Sequence, residues 1–268
     1  MGEGLDPERV PEYFRGPDTV GQWWDPDTGP LAFHYDAEVA VLDDHLGVES
    51  SWSVLDVGTG RGRFGIHLAE QGCRVTAVDI NPDMIEASRE AARRRGVDDC
   101  FSVHEGDAER LEEVAAGPFD LVMCMELFDH LPHLERALAS MHSVLKPGGK
   151  LVFTYVPGES LYGLAGNVYR SLRRRFKPAD MMISRTYSFG EVDRALGSSG
   201  FVMENYFGVG VLCLNAQTRL FRDSWLNRAA LGLARAEARR WPYHASSWLG
   251  RRGAHVVGLA HSVEPSRS

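Results

Sequence analysis

Short runs of apolar residues, each closed by turn-forming residues, dominate the chain from residue 53 onward. The runs at 53–57, 73–79, 101–104, 119–125 and 151–155 have strand length and are rich in Val, Leu and Phe. Runs of this length between turn signals indicate buried strands. Two later runs, at 201–207 and 255–260, bring the expected number of strands to seven.

Helical patterns separate these runs and carry recognisable start and stop signals. Asn81-Pro82 opens a helix over 83–95, because Asn caps free N–H groups and Pro suits the first helical position. Gly96 can take the left-handed conformation that ends it. Helices are also expected at 36–46, at 188–196 with a Ser188/Glu191 capping box, and over much of 216–241. Alternating strands and helices predict an α/β fold with a doubly wound, seven-stranded, mostly parallel sheet.

The first strand ends at a loop with glycine at alternate positions, Gly58, Gly60 and Gly62. Such a loop lets backbone N–H groups approach a ligand closely. The second strand ends at Asp79, and this pairing of glycine loop and acid is typical of a nucleoside site. Residues 60–65 also match the dinucleotide fingerprint G-x-G-x-x-G, so an NAD-dependent dehydrogenase and a purely structural turn both remain open at this point.

Later motifs extend the pattern in a fixed order. Glu105-Gly106-Asp107-Ala108 follows the third strand, Phe119-Asp120-Leu121-Val122 forms the fourth, and Leu145-Lys146-Pro147-Gly148-Gly149 is a turn before the fifth. With Asp56 and Asp79, the series resembles the class I S-adenosylmethionine-dependent methyltransferases over roughly residues 50–156. A dehydrogenase has no reason to carry the last two motifs.

The resemblance implies a set of cofactor contacts. Gly58 and Gly60 would pass against the methionyl part of S-adenosylmethionine, and Asp56 would offset its ammonium charge. Asp79 would accept hydrogen bonds from both ribose hydroxyls, since a carboxylate has two acceptor oxygens. The remaining matched positions would contact the adenine and the ammonium group: Ile80, Asp107 and Ala108 for the adenine, and the Met125 carbonyl for the ammonium. Asp56 and Asp79 could instead be structural, and Asp107 could be a turn residue.

A narrower resemblance concerns Met125-Glu126-Leu127-Phe128-Asp129-His130. It is similar to the corresponding stretch of the ubiquinone-biosynthesis O-methyltransferases, which implies that Glu126, Asp129 and His130 hold a Mg²⁺-type cation. Asp129 is shorter than the usual Glu of that group. His130 could instead act alone as a base, or only shape the pocket. His34, Tyr35 and Tyr187 are weaker candidates for substrate contact.

Composition limits the classes of function. The chain has 268 residues with a formal net charge of −8, which disfavours a nucleic-acid partner. It has no apolar run of membrane-spanning length and no N-terminal signal-peptide pattern. Its four cysteines are scattered, which indicates buried thiols in a reducing compartment. These features predict a cytoplasmic protein.

The chain is expected to divide into four parts: a lid at 1–50, the cofactor-binding core at 51–157, an insertion with a helix on the acceptor side at 158–200, and the last strands with a helical insertion at 201–268. Trp23 and Trp24 could close the lid or simply anchor it. Basic residues at 170–177 could form a peripheral membrane contact or a solvated helix face.

The resulting hypothesis is an S-adenosylmethionine-dependent methyltransferase with a small-molecule acceptor. O-methylation of a phenol, catechol or hydroxyquinone-like acceptor comes first. The alternatives are an N- or C-methyltransferase of a natural product or amino sugar, an NAD-dependent dehydrogenase, and a non-catalytic cofactor-binding module. The sequence does not identify the acceptor or predict an oligomeric state.

Overall fold

A computed structural model describes residues 9–15, 32–176, 185–213 and 225–263. The described residues form eight α-helices: α1 Arg9–Arg15, α2 Ala32–His45, α3 Arg63–Glu70, α4 Pro82–Arg95, α5 Leu134–Ser143, α6 Leu161–Phe176, α7 Phe189–Ser198 and α8 Trp225–Arg240. They also form eight strands: β1 Ser53–Val57, β2 Arg74–Asp79, β3 Phe101–Glu105, β4 Phe119–Cys124, β5 Leu145–Tyr155, β6 Phe201–Val209, β7 His244–Ala245 and β8 His255–Ser262.

All eight strands belong to one sheet with the order β3-β2-β1-β4-β5-β8-β6-β7. Strands β1 to β5 are parallel, whereas β8 pairs antiparallel with both β5 and β6. The strand order reverses between β1 and β4. In open α/β sheets, the crevice outside the carboxyl ends of the strands at such a reversal is where ligands bind.

Both faces of the sheet are covered by helices, which confirms the doubly wound fold. Alternate residues of β1 point to opposite faces: Leu55 and Val57 join one apolar cluster, and Val54 joins the other. Helices α5 and α7 pack into the first cluster, and α2, α3 and α4 pack into the second. Strands buried on both faces explain why the sequence shows continuous apolar runs rather than alternation.

Most helices and strands lie where the sequence predicts them. Asn81 caps α4 by accepting from the N–H groups of Asp83 and Met84, Gly96 ends it with φ 68°, and the Ser188/Glu191 capping box is formed. The sheet contains one strand more than expected, the two-residue β7 at its edge.

The Leu-Lys-Pro-Gly-Gly segment lies inside β5 and is not a separate turn before it. Leu145 pairs with Phe119 of β4, and the regular pairing resumes only at Lys150 with Leu121. Residues 146–149 therefore form an irregularity within the strand, which reconciles turn-forming residues with a strand position.

The N-terminal segment divides into two parts with different roles. Val41 and Leu42 of α2 are fully buried in the second apolar cluster, so α2 belongs to the core and not to a lid. Among the described residues of this segment, Val10 and Phe14 of α1 line the ligand crevice, and Tyr35 of α2 lines it as well. Trp23 and Trp24 lie outside the described residues.

In the described part of the chain, no helix is both long enough and apolar enough to cross a bilayer. The basic segment 170–177 falls on the last turns of α6 and beyond it. Most of its side chains, including those of Arg173, Arg174 and Arg175, lie outside the described part.

Candidate active site

A cavity of about 510 Å³ lies at the carboxyl edge of the sheet, where β1 and β4 meet. Loops after β1, β2, β3 and β4 form its walls, and α1 covers it. The structure brings all eight predicted cofactor residues into its lining: Asp56, Gly58, Gly60, Asp79, Ile80, Asp107, Ala108 and Met125. Their individual roles remain predictions.

The glycine loop is held tightly against the end of β2. Gly58, Gly60 and Gly62 all have positive φ (69°, 54° and 83°), a conformation that side chains disfavour. The Gly58 N–H donates to the Val78 carbonyl at 2.7 Å, and the Gly60 N–H donates to Asp79 Oδ2 at 2.8 Å. A Cβ at Gly58 would come within 2.7 Å of the Leu127 side chain. The loop therefore leaves backbone exposed to the cavity.

Asp56 lies beneath this loop and is almost fully buried. Burial raises its pKa to about 6, although the Thr59 hydroxyl donates to its Oδ2 at 2.7 Å and opposes the shift. A Cβ at Gly65 would come within 2.6 Å of the same oxygen, so α3 can approach Asp56 only because residue 65 has no side chain. The carboxylate is thus a buried acid that a cationic ligand would favour in its ionised form.

Asp79 is the acid at the end of β2, and both of its oxygens already accept backbone hydrogen bonds. The Gly60 N–H donates to one oxygen and the Asn81 N–H donates to the other at 2.9 Å. Burial raises its pKa, and these hydrogen bonds oppose the increase. Each carboxylate oxygen has a second lone pair, so the pair can also accept from two ligand hydroxyls.

Asn81 connects the cofactor side of the cavity to the covering helix. Its Oδ1 caps α4, while its Nδ2 donates to the Phe14 carbonyl of α1 at 2.5 Å. The Phe14 ring meets the His130 ring edge to face, with centroids 5.2 Å apart. Helix α1 is thereby fixed over the cavity at both of its walls.

Asp107 forms a local turn as well as lining the cavity. Its Oδ1 accepts from the Glu109 N–H at 2.9 Å, as expected of an Asx turn. Asp107 therefore takes part in a local turn, and its other carboxylate oxygen stays available for a ligand.

The structure does not support the predicted metal set. Glu126 and His130 line the cavity, but Asp129 does not. Asp129 is buried, and both of its oxygens accept from the Val156 N–H at 3.1 and 3.2 Å. Glu126, Asp129 and His130 do not bring three ligand atoms within 4.8 Å of one another, which a shared ion would need. A Mg²⁺ ion held by this trio therefore does not fit the site.

A different group of side chains converges beside Glu126. His255 Nδ1 lies 2.8 Å from Glu38 Oε1 and 2.8 Å from Glu126 Oε1. In the described part of the chain, Glu38, Glu126 and His255 are the one trio of His, Cys, Asp or Glu residues whose ligand atoms all lie within 4.8 Å. Glu126 also has the single positive φ, 57°, found among described non-glycine residues. We call these three residues the Glu-His-Glu cluster.

The charges in the Glu-His-Glu cluster are unevenly shared. The neighbouring carboxylates hold the pKa of His255 well above its usual value despite burial. His255, in turn, lowers the pKa of Glu126 to about 2, whereas burial and the Glu126 charge raise the pKa of Glu38 to about 8. The carboxylate whose pKa is lowered is therefore the one that faces the cavity.

Sequence reasoning missed Glu38, His255 and Arg61. Glu38 and His255 are 217 positions apart and belong to no motif, so only the fold brings them together. Arg61 lies within the glycine loop and lines the cavity, and its buried Nε has no acceptor among the described residues. Its position between two loop glycines was the available signal.

Comparison with known proteins agrees with this geometry. Residues 55–153 match the protein-family model described as "Methyltransferase domain". This part of the chain is a methyltransferase domain. The match covers the glycine loop, Asp79 and the three predicted cofactor residues that follow β3 and β4, namely Asp107, Ala108 and Met125, and it confirms the expected resemblance.

Curated relatives of the methyltransferase domain carry the name "Ubiquinone biosynthesis O-methyltransferase". The relative from Idiomarina loihiensis is 29% identical over 157 residues, which are 57% of this chain and 61% of the relative. The relative from Nitrosococcus oceani is 25% identical over 239 residues, which are 85% of this chain and 95% of the relative. For the Idiomarina loihiensis relative and six further curated relatives, the chain spans only between 52% and 64% of the relative's length.

Solved structures share the fold of the methyltransferase domain at low sequence identity. A chain of the Haloferax volcanii complex between the Trm112 methyltransferase activator and a methyltransferase matches with a TM-score of 0.67 at 19% identity, covering 95% of this chain and 100% of that one. Magnesium protoporphyrin IX methyltransferase from Synechocystis PCC 6803, solved with bound SAH, matches with a TM-score of 0.59 at 16% identity, covering 96% and 100%.

Proposed function

We propose that the protein transfers a methyl group from S-adenosylmethionine to an oxygen of a small phenol, catechol or hydroxyquinone-like acceptor. One observation carries this proposal: the eight positions that match the family's cofactor contacts line one cavity, and His130 and Glu126 line the same cavity. The names of the curated relatives support oxygen as the methylated atom.

The cavity has suitable groups for each part of the cofactor. Asp79 would accept from the two ribose hydroxyls, Ile80 and Ala108 would enclose the adenine, and Asp107 would accept from its amino group. Asp56 and the Met125 carbonyl would face the ammonium group. The unpartnered guanidinium nitrogen of Arg61 would meet the carboxylate at the other end of the methionyl chain.

S-adenosylmethionine, when bound, supplies a methyl group on a sulfonium, which is already activated for in-line displacement. The protein's contribution is to orient the acceptor, exclude water and take up the acceptor's proton. His130 lies at the cavity wall beneath Phe14, where it can accept a proton from a hydroxyl. Val10 and Phe14 of α1 line the cavity, and α1 would limit the entry of solvent once the ligands are bound.

Thermal unfolding with S-adenosylhomocysteine and with NAD tests the cofactor assignment directly. A ligand that binds the folded state raises the unfolding midpoint by mass action, so we expect a rise with S-adenosylhomocysteine and none with NAD. The opposite result would favour the dehydrogenase. In D79N, we expect S-adenosylhomocysteine to bind about 1–3 kcal/mol more weakly, because a charged hydrogen-bond acceptor is lost.

Transfer of a labelled methyl group to a panel of acceptors tests the atom that is methylated. Labelling of catechols and not of amines would support O-methylation. Labelling of amines or of carbon would favour the N- or C-methyltransferase alternative, and cofactor binding without any transfer would favour a binding module. A peripheral membrane contact and a cytoplasmic location remain predictions.

A further inference from the structure

The Glu-His-Glu cluster lies where three distant parts of the chain meet at the carboxyl edge of the sheet. Glu38 comes from α2, Glu126 follows β4, and His255 begins β8. Glu38 is fully buried, the His255 side chain is 12% exposed, and Glu126 is 29% exposed toward the cavity. The cluster therefore forms a wall behind the acceptor end of the cavity.

Several polar atoms of this wall have no hydrogen-bond partner among the described residues. They are Glu38 Oε2 and both ring nitrogens of His34, whose side chain is also buried. The His34 ring lies 5.6 Å from the His255 ring, centroid to centroid. Burial lowers the pKa of His34 to about 3, so its ring is neutral and keeps a free lone pair. Buried polar atoms without partners are costly, and their concentration here indicates a missing ligand.

The missing ligand must be a cation that bonds to nitrogen and to carboxylate oxygen. Two carboxylates beside one imidazole, of which the Glu38 carboxylate is fully buried, leave excess negative charge once His255 is neutral, and a dipositive ion would balance it. Imidazole suits Zn²⁺ and related transition metals, whereas Mg²⁺ prefers an all-oxygen shell. We propose that Glu38, Glu126 and His255 Nδ1 bind a divalent transition-metal ion of the Zn²⁺ class.

The observed geometry needs little adjustment to hold such an ion. His255 Nδ1 lies 2.8 Å from each carboxylate oxygen, held by shared hydrogen bonds. Ligand atoms around a tetrahedral Zn²⁺ with bonds of about 2.0–2.2 Å are separated by roughly 3.3–3.6 Å. The distance from His255 Nδ1 to each carboxylate oxygen therefore has to increase by somewhat more than about 0.5 Å. The ion would take the place of the proton on Nδ1. The unpartnered Glu38 Oε2 can complete a bidentate contact.

The position of this site implies a task for the ion, which rests on the proposed function. Since Glu126 faces the cavity, the ion's open coordination position would point toward the acceptor. An acceptor with two adjacent oxygens, such as a catechol or hydroxyquinone, can bond to the ion through both. A metal-bound hydroxyl loses its proton more readily, so this contact would also activate the nucleophile.

Isothermal titration calorimetry of the full-length, chelator-stripped protein with Zn²⁺ alone tests the site without any methyl transfer. We expect one equivalent to bind to the unmodified chain. E38Q keeps the shape of the side chain but removes its charge, and we expect at least a 10- to 100-fold weaker affinity, the loss that even an outer-shell substitution causes. Mn²⁺ and Mg²⁺ titrations compare an ion that tolerates imidazole with one that does not.

The control variant is E86Q, which removes an exposed glutamate of α4 that pairs with Arg93. It should bind Zn²⁺ like the unmodified chain. Circular dichroism of each variant checks folding, and Co²⁺ absorption gives a second readout of imidazole ligation that should change in H255N. Absence of Zn²⁺ and Mn²⁺ binding, or equal loss in E38Q and E86Q, would overturn the proposal. The proposal would also be overturned if D129N abolished Zn²⁺ binding while E38Q retained it, because that result would favour Glu126, Asp129 and His130 as the ligands.

Because metal binding is measured without S-adenosylmethionine, its outcome is independent of the outcome with S-adenosylhomocysteine. Binding of S-adenosylhomocysteine without Zn²⁺ leaves the proposed function standing and removes the ion. Zn²⁺ binding without S-adenosylhomocysteine leaves the ion site standing and removes the proposed function.

Discussion

The pKa values of acidic side chains at the cavity are shifted mainly by burial. Asp56 shows this most clearly, because its carboxyl lies beneath the glycine loop with the Thr59 hydroxyl as a donor. Burial raises its pKa to about 6, so it is protonated below that pH and ionised above it. A cationic ammonium group nearby favours the ionised form.

Cofactor affinity should therefore depend on pH through Asp56. We expect S-adenosylhomocysteine to bind at full strength above pH 6 and progressively more weakly as the pH falls through 6, by up to about tenfold per unit. Calorimetric titrations between pH 5 and 8 measure this. In D56N the slope should be absent, whereas D98N, which changes an exposed acid after α4, should keep it.

His130 could act as a general base or could only shape the cavity, and a substitution distinguishes the two roles. H130A should lower kcat by roughly 10²–10⁴-fold while S-adenosylhomocysteine affinity stays close to normal, because general base catalysis has that range. Labelled methyl transfer and calorimetry give the two values. Normal turnover in H130A would show that the ring only shapes the cavity with Phe14.

At the level of elements, helix α1 depends on a contact from another helix's cap. Asn81 caps α4 with its oxygen and holds the Phe14 carbonyl with its nitrogen. One side chain therefore couples the start of α4, next to Asp79, to the cover of the cavity.

N81S should separate these two tasks. Serine is an equally good N-cap, so the free energy of unfolding should change by less than about 0.5 kcal/mol. Serine does not reach Phe14, so hydrogen exchange in α1 and the dissociation rate of S-adenosylhomocysteine should both increase. S188A is the matched comparison: losing the α7 cap should cost about 1 kcal/mol and leave dissociation unchanged. Unchanged exchange in N81S would remove the role of Asn81 in holding α1.

Across the whole molecule, α2 joins the N-terminal segment to the sheet as a core helix. Leu42 is 1% exposed and packs in the same cluster as strands β1, β2 and β4. Helix α2 is consequently part of the folded unit.

L42A should lower the free energy of unfolding by about 2–5 kcal/mol, because it leaves a cavity in a close-packed cluster. Urea denaturation measures the change. L161A removes the same atoms from a leucine that is 48% exposed on α6 and should stay within about 0.5 kcal/mol. A loss of similar size in both variants would argue against a core role for α2.

Local signals explain what the sequence could predict. The glycine loop, Asp79 and the caps at Asn81 and Ser188 depend on neighbouring residues, so they could be read directly. The start of β5 could not, because Pro147 and Gly148 are turn formers and only strand pairing extends the sheet past them. The metal trio was predicted from the resemblance to a family, but the Asp129 carboxylate accepts from the Val156 N–H instead of facing the cavity.

The long-range part of the site could not be predicted from one sequence. Glu38 is one acid among many on a helix, and His255 is one of ten histidines. Neither has a neighbour in sequence that suggests chemistry, and their meeting depends on β8 inserting antiparallel between β5 and β6. The Glu-His-Glu cluster is therefore a product of topology.

The order of the chain has a consequence for how the protein is made. All predicted cofactor contacts lie at or before Met125 in the chain. His255 comes much later, in β8, the last strand of the chain. During translation, the cradle for the methyl donor leaves the ribosome first, and the wall that would receive the acceptor is finished last. A nascent chain therefore emerges with every donor contact before the group that completes the acceptor side has been synthesised.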